Sequence, residues 1–274
     1  VIPASPPVLC AGAIQPLNGS VGSMSTVQIY AQNFNGATND WTVANTSTDG
    51  NTAASQWTLR NSTYAYSSGT WNISLRSNDN SQFYFANADA QGNSLLPFVV
   101  TRTTLTSPPI SLIGYTSASL SFWHYMRLIL NDSFRVEVST DNGATWNLAQ
   151  NFVGTQGTPL NFANANIDLS AYVGSPTFQI RFNMVSNWGY GWAIDNVLLT
   201  GSVASALQWS PATDLFTDPA ATVPYVAGDF ATVVYAKPQV TTVYTATAVN
   251  ANGCSTNGSV TLNVDAAPVG GTLS

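Results

Sequence analysis

The chain of 274 residues carries 7 Lys plus Arg against 13 Asp plus Glu, and charged residues make up only 7% of it. A net charge of −6 without a basic cluster excludes nucleic acid as a partner, because phosphate binding needs a cationic surface. Apolar residues reach 45% and aromatic residues 11%, so the chain buries enough surface to fold. The apolar runs are shorter than a membrane span, which predicts no membrane insertion.

The N-terminal residues 1–21 are rich in proline and contain a short strand around Cys10. The chain has no signal peptide and begins in mid-strand, which suggests a piece of a longer, exported protein. Its two cysteines, Cys10 and Cys254, lie near opposite ends of the sequence. In an exported chain this arrangement predicts a disulfide that joins the two ends, and two unpaired buried thiols are the alternative.

Residues 119–146 have the clearest strand pattern of the chain. Leu120, Phe122 and His124 alternate with outward positions, which is the period of a half-buried strand. Residues 139–146 then read S-x-D-x-G-x-x-W, with turn-forming residues where a hairpin reverses. This pattern resembles the Asp-box, which marks a fold and not a catalytic site.

The sequence after residue 205 has the features of the later half of an immunoglobulin-like sandwich. Trp209 supplies the core tryptophan, and Tyr244, Ala246 and Ala248 alternate along a strand that leads to Cys254. No sustained helical period occurs anywhere in the chain, and glycine and proline interrupt almost every segment. The fold class is therefore predicted to be all-β.

The first half of that sandwich is missing from the C-terminal part and is supplied by the N-terminal residues. We predict a discontinuous Ig-like domain of residues 1–25 and 202–266, interrupted by an inserted domain of residues 26–201. Such an insertion is tolerated because the entropy of loop closure grows slowly with loop length. Residues 267–274 are a linker or the start of a next repeat. Two sequential domains with a frayed N-terminal arm are the alternative.

The insert contains NFNGATNDWTV, YFANADAQGN, VEVSTDNGATW and WAIDNVLLTG in this order, and it resembles the MAM-like jelly-roll modules of secreted bacterial proteins. The flanks, with LQWSPATDLF and TTVYTATAVNANGCSTNGSVTLNV, resemble the Ig- and PKD-like repeats of very large Bacteroidetes surface adhesins, such as the SprB-type gliding adhesin. The resemblance implies a jelly-roll β-sandwich inserted in a split Ig-like sandwich. It also implies export by type IX secretion, display on the cell surface and a part in adhesion or gliding motility.

The resemblance further implies a structural calcium ion, because jelly-roll modules often tie their first and last strands together with one. The acidic position of the closing IDN strand is a frequent ligand and corresponds to Asp195, with Asn33 near the first strand as its partner. Asp89 is a second candidate and Asp79 a weaker one. The acidic residue of the first strand is absent here, where Gln32 precedes Asn33. In the alternative, Asp195 only caps a turn.

Catalysis has little support in the sequence. The chain has one histidine, one lysine and one glutamate, and general acid–base catalysis needs positioned titratable groups. His124 lies on a core strand, where a packed and hydrogen-bonded role is expected, and no G-x-S-x-G motif presents a serine nucleophile. Two aspartates could flank a glycosidic bond, but no pair stands out. The chain is therefore predicted not to be an enzyme.

Sugar binding competes with a purely structural role. Trp188, Tyr190 and Trp192 are separated by glycines, which could expose their flat faces to a glycan, or the tryptophans could instead cover the sandwich edge beside Asp195. We predict a non-catalytic, extracellular repeat module of a surface adhesin, whose insert projects as the contact lobe. Its predicted partners are neighbouring repeats of the same chain and surface glycans or solid surfaces. The alternative is a carbohydrate-binding module of a secreted multidomain protein.

Overall fold

The computed structural model describes residues 8–19, 26–36, 38–92, 99–129, 131–203, 206–249 and 255–265. The chain divides into two compact units, of which one is Thr26–Ser202 and the other joins Val1–Ser25 to Val203–Ser274. We call Thr26–Ser202 the larger unit and the discontinuous part the smaller unit.

Both units are built from strands, which confirms the all-β prediction. The strands are β1 (Leu9–Cys10), β2 (Gln15–Asn18), β3 (Thr26–Gln32), β4 (Thr42–Asn45), β5 (Thr58–Arg60), β6 (Tyr64–Ser67), β7 (Asn72–Leu75), β8 (Phe83–Asn87), β9 (Val100–Thr106), β10 (Tyr115–Arg127), β11 (Ser133–Ser139), β12 (Asn147–Phe152), β13 (Ala163–Asp168), β14 (Gln179–Asn187), β15 (Gly191–Val203), β16 (Ala206–Ser210), β17 (Leu215–Phe216), β18 (Val233–Ala236), β19 (Thr242–Val249), β20 (Ser255–Leu262) and β21 (Val264–Asp265). The helical elements are α1 (Thr52–Ser55) and the 3₁₀ turns Asp89–Gln91 and Ser170–Tyr172. No helix in the described ranges is long and apolar enough to cross a membrane.

The larger unit is a sandwich of two sheets. The six-stranded sheet has the order β13-β10-β15-β8-β5, with β3 paired to β15, and the five-stranded sheet has the order β12-β11-β14-β9-β4. Between the sheets lies an apolar core that includes Trp57, Phe122, Phe134, Phe182 and Trp192. This core unites strands that are far apart in the sequence, so it fixes which residues face outward on each sheet.

The predicted alternation of residues 119–146 is confirmed. Phe122 and His124 of β10 point into the core, as do alternate residues of β11. The hairpin between β11 and β12 is held by Asp141, which accepts hydrogen bonds from the Ser139 hydroxyl at 2.7 Å and from the Thr145 backbone N–H at 2.9 Å. Trp146 donates from Nε1 to the Gly143 carbonyl at 3.0 Å and so closes the turn.

A hairpin of β6 and β7 lies over the outer side of the six-stranded sheet. Its Tyr64 and Trp71 pack against Phe85 at centroid distances of 5.8 and 6.1 Å, in a second apolar cluster that also contains Phe83 and Ala193. The six-stranded sheet is therefore buried on both faces in this region.

The smaller unit contains two three-stranded sheets, β16-β19-β20 and β17-β18-β2, and a parallel pairing of β1 with β21. Trp209 and Tyr244 are buried between them, and Trp209 donates from Nε1 to the Ala231 carbonyl at 2.8 Å. Strand β2 pairs with β18, more than 200 residues later in the chain, so the N-terminal strands complete the sandwich.

Cys10 is exposed and has no disulfide partner among the described residues, and Cys254 lies outside them, so the predicted disulfide is not shown. Cys10 pairs through its backbone with Asp265, because β1 and β21 are parallel neighbours. This backbone pairing joins the N-terminal and C-terminal parts of the smaller unit.

Candidate functional site

Asp195, the main predicted metal ligand, is fully buried in β15. Its Oδ1 accepts the backbone N–H of Asn196 at 2.7 Å, and its Oδ2 accepts the Ser81 hydroxyl at 3.3 Å. Burial raises the pKa of this carboxyl to about 7, and the charge of Asp79 adds to the rise. Asp195 is thus a carboxylate whose charged form is disfavoured by its surroundings.

Asp79 lies beside Asp195. It accepts hydrogen bonds from the Ser77 hydroxyl, from the backbone N–H of Ser81 and from the side-chain amide of Asn196, each at 2.9 Å. Burial alone would raise the pKa of Asp79, but these hydrogen bonds outweigh it and hold the pKa at about 2. The same amide nitrogen of Asn196 lies 3.4 Å from Asp195 Oδ2, so the two carboxylates share one donor.

The other two predicted metal ligands do not join this pair. Asn33 is exposed, and its side chain accepts the backbone N–H of Asn35 at 3.1 Å, which is a local turn. Asp89 accepts the hydroxyls of Tyr66 and Thr70, both at 2.7 Å, beyond the Asn87 end of β8. Ile194 pairs with Tyr84, so Asp195 lies at the opposite end of β8, and the length of that strand, about 16 Å, separates the two carboxylates. No group of three His, Cys, Asp or Glu side chains forms a metal site among the described residues.

Trp192 was a predicted ligand-binding residue, and the structure contradicts this. Its ring is fully buried and stacks on Phe134 at 5.4 Å with an interplanar angle of 5°. Its Nε1 donates to His124 Nδ1 at 3.3 Å, and burial lowers the pKa of His124 to about 4, so this histidine is neutral. Trp192 and His124 are core residues and do not reach a ligand.

The other two aromatic residues of the predicted loop are half-buried. Tyr190 packs edge-on against Trp71 at 5.1 Å, and the Arg127 guanidinium lies over the Tyr190 ring, 3.7 Å from the ring centre. Trp188 has a positive φ of 50°, in a turn between β14 and β15. Tyr190 is thus part of the packing around the β6–β7 hairpin, and the loop does not present a row of free aromatic faces.

A more open polar surface lies on the outer side of the five-stranded sheet. Its strands alternate between core residues and outward residues, and the outward ones include Arg102 on β9, Arg135 on β11, and Arg181 and Asn183 on β14. The register places Arg135 opposite Asn183 and Val185 opposite Arg102. Cross-strand pairing therefore gathers onto one face arginines that are far apart in the sequence.

Arg181 is fixed in place on this surface. Its Nε donates to Glu137 Oε2 at 2.8 Å, and its guanidinium lies 4.0 Å from the centre of the Trp146 ring. The side-chain amide of Asn183 donates to both oxygens of Glu137 at 3.1 Å. Glu137, the one glutamate of the chain, is thus occupied by Arg181 and Asn183.

A groove of about 340 Å³ runs across this surface over β4, β9 and β14. We call it the polar groove; its outward side chains are Thr46, Arg102, Thr104, Arg181, Asn183 and Val185. The lining offers hydroxyl, amide and guanidinium groups and no carboxylate. Sequence reasoning missed it, and the only local signal was a single arginine at an outward position in each of three strands.

No protein-family model matches the chain, and no curated protein matches it. Among solved structures, the K1 cleaved adhesin domain of Lys-gingipain from Porphyromonas gingivalis W83 is similar to 64% of this chain and 97% of that chain, at 14% identity and a TM-score of 0.43. The K3 cleaved adhesin domain of the same protein is similar to 64% of this chain and 99% of its own, at 11% identity and a TM-score of 0.43. A family 11 carbohydrate-binding module from Clostridium thermocellum, solved with a β-1,3-1,4-mixed-linked tetrasaccharide, is similar to 66% of this chain and 99% of its own, at 14% identity and a TM-score of 0.33. Because these values are low, function has to be inferred from the side chains of this chain itself.

Proposed function

We propose that this chain is a non-catalytic, extracellular module of a bacterial surface adhesin, and that its larger unit binds glycans in the polar groove. The observation that supports the proposal is the lining of the groove, where hydroxyls, an amide and two guanidinium groups stand on rigid strands. Sugars are bound through such polar groups placed in a preformed concave surface. The smaller unit joins the module to neighbouring repeats, as in the SprB-type adhesins that the sequence resembles.

The non-catalytic part of the proposal is supported by the positions of three titratable groups. Glu137 cannot serve as a free acid or base, because Arg181 and Asn183 occupy its oxygens. His124 is buried and neutral, and Asp195 lies under Ser81 in a different part of the larger unit. General acid–base catalysis needs such groups within reach of a substrate.

Blocking the polar groove tests the glycan-binding proposal. Thr104 faces outward on β9 between Ala44 and Asn183, so Thr104→Trp fills the groove without entering the core. On a glycan array, we expect the variant to lose about 10-fold or more of the wild-type signal. Ser74→Trp is the matched control, because Ser74 is exposed on the β6–β7 hairpin. Wild-type binding that survives in Thr104→Trp, or an empty wild-type array, contradicts the proposal.

The proposal includes a structural calcium ion held by Asp79 and Asp195. Two carboxylates and the hydroxyls of Ser77 and Ser81 are oxygen ligands that suit a hard cation, and the amide nitrogen of Asn196, which lies between the carboxylates, would have to move away from them. The buried Asp195 carboxylate supports this assignment, because a buried charge needs a counter-charge. When bound, calcium would supply that charge and join β15 to the turn before β8.

Calcium should therefore stabilise the larger unit. At pH 8, where Asp195 is mostly ionised, we expect calcium at about 1 mM to raise the melting temperature of that unit by about 5 °C, compared with the same protein in the presence of a chelator. Asp195→Asn should remove this response, whereas Asp89→Asn, in the separate carboxylate site, should keep it. An unchanged melting temperature of the wild type on addition of calcium contradicts the assignment.

A further inference from the structure

The outer side of the five-stranded sheet differs in charge from the rest of the chain. Its strands carry three of the seven cationic side chains, Arg102, Arg135 and Arg181, and one acidic side chain, Glu137. The whole chain has a net charge of −6. A positive surface on an acidic protein raises the local concentration of anions and does not raise that of neutral molecules. It therefore favours an anionic ligand over a neutral one.

Two of the three arginines have no side-chain partner among the residues that the structure describes. Arg181 is neutralised by Glu137 at 2.8 Å, but the guanidinium groups of Arg102 and Arg135 have no hydrogen bond or ion pair within the described ranges. Both side chains are exposed, on strands that flank β14 on either side. Arg135 stands opposite Asn183 and Arg102 stands opposite Val185, so neither positive charge has an acidic residue opposite it on β14, and a bound anion would neutralise them.

All three cations are arginines, and the one lysine of the chain, Lys237, lies in the smaller unit. A guanidinium presents a planar fork of donors that fits a carboxylate or sulfate in two parallel hydrogen bonds, which the ammonium of lysine cannot do. Arg102 also lines the polar groove together with Thr104 and Asn183, whose hydroxyl and amide oxygen suit sugar hydroxyls. The charge and the sugar-type donors thus occur in the same groove.

The spacing indicates an extended ligand. Arg181 pairs with Thr106 and Val185 pairs with Arg102, so Arg181 and Arg102 stand on adjacent strands four positions apart. Strand geometry places their Cα atoms about 14 Å from one another. A small inorganic anion would contact one arginine, whereas a polymer would span the groove between both. Three arginines on an acidic chain are too few for the phosphates of a nucleic acid.

We infer that the polar groove binds an anionic polysaccharide, whose carboxylate or sulfate groups pair with Arg102 while its hydroxyls bond Thr104 and Asn183. This inference rests on the proposed glycan-binding function and names its ligand class. Arg181, held by Glu137 and Trp146, serves as the rigid end of the groove. Arg135 adds attraction from the neighbouring strand.

Binding of the whole chain to polymers with matched backbones tests this inference. Polygalacturonate is compared with its fully methyl-esterified form, and dextran sulfate is compared with dextran, by isothermal titration calorimetry at low and high NaCl. We expect binding to at least one charged polymer, about 10-fold or more tighter than to its neutral match, and weaker binding as salt rises. The two pairs distinguish a carboxylate from a sulfate.

Two arginine variants locate the site. Arg102→Ala should weaken binding of the charged polymer about 10-fold or more, because a charge-assisted pair is lost. Arg76→Ala is the matched control, since Arg76 is also exposed in the larger unit but lies outside the five-stranded sheet. Its affinity should equal that of the wild type, and melting curves of both variants confirm that they are folded.

The possible outcomes distinguish a failure of the anionic ligand class from a failure of the glycan-binding function. Equal binding of charged and neutral polymers leaves glycan binding standing and overturns the anionic ligand. Equal loss in Arg102→Ala and Arg76→Ala, or equal binding of poly-glutamate, shows unspecific charge attraction and also overturns it. An absence of binding to every polymer and on the glycan array overturns the proposed function itself.

Discussion

Replacing Trp192 with alanine is expected to lower the free energy of unfolding of the larger unit by about 3–5 kcal/mol. The ring is fully buried, stacks on Phe134 at 5.4 Å and also packs edge-on against Phe182 at 5.6 Å. Its removal leaves a cavity between the two sheets, and it deprives His124 of the donor that reaches its Nδ1 at 3.3 Å. Both effects act on the same core, so few single substitutions in the larger unit should lower its free energy of unfolding by more.

The matched control is Trp188→Ala, which removes the same side chain from the half-buried turn before β15. We expect a loss of less than about 1 kcal/mol there, because no core cavity forms. Chemical denaturation followed by tryptophan fluorescence and by circular dichroism measures both variants, and the transition of the smaller unit should not move. Equal losses for the two variants would show that Trp192 is not a core residue.

Features set by neighbours in the sequence could be predicted. The period of two along β10 and β11 reports one buried face per strand, and it identified His124 as a core residue correctly. The hairpin at residues 139–146 follows from turn chemistry, since Asp141 bonds the hydroxyl and N–H groups within its own turn. Trp209 could likewise be predicted as a core residue, because the residues around it have the alternation of a strand.

The residues around Trp192 could not be predicted in this way. Strand β15 is covered by the core on one face and by the β6–β7 hairpin on the other, so Trp192, Ala193, Ile194 and Asp195 are all buried. A strand that is buried on both faces shows no alternation, and the sequence therefore cannot say which side of it is exposed. This is why the sequence left two interpretations of Trp192 open, one as a sugar-binding residue and one as a residue that covers the edge of the sandwich.

The polar groove depends on strand register. Arg181 meets Glu137 across 44 residues of sequence, and Arg102 comes next to Val185 only because β9 pairs with β14. An arginine at an outward strand position looks the same in the sequence whether or not others stand beside it.

In the absence of divalent cations, the buried carboxyl of Asp195 should make the free energy of unfolding depend strongly on pH, which is the second large effect that we expect. The pKa of Asp195 is about 7 in the folded protein and 3.8 in its ordinary range, so the folded state holds this proton more tightly than the unfolded state. Its contribution to stability is therefore complete below about pH 4 and is lost as the pH rises to about 7, by about 2–4 kcal/mol. His124 acts with the opposite sign in part of this window, because its pKa of about 4 is below the ordinary 6.5 and its contribution is gained as the pH rises.

Asp195→Asn separates these two effects, because the variant keeps His124 and removes only the titrating carboxyl. With a chelator present, we expect wild type and variant to unfold at similar denaturant concentrations at pH 4.5, and the variant to be about 2–4 kcal/mol more stable at pH 8. The variant alone should gain stability between pH 4.5 and 6.5 through His124, whereas the wild-type profile should be flatter. The contribution of Asp79 to stability is complete above about pH 4 and is lost only below it, since its pKa is about 2, so Asp79 does not disturb this comparison. A constant difference between the two profiles would mean that Asp195 is ionised throughout, and the buried carboxylate would then need a permanent cation at its side.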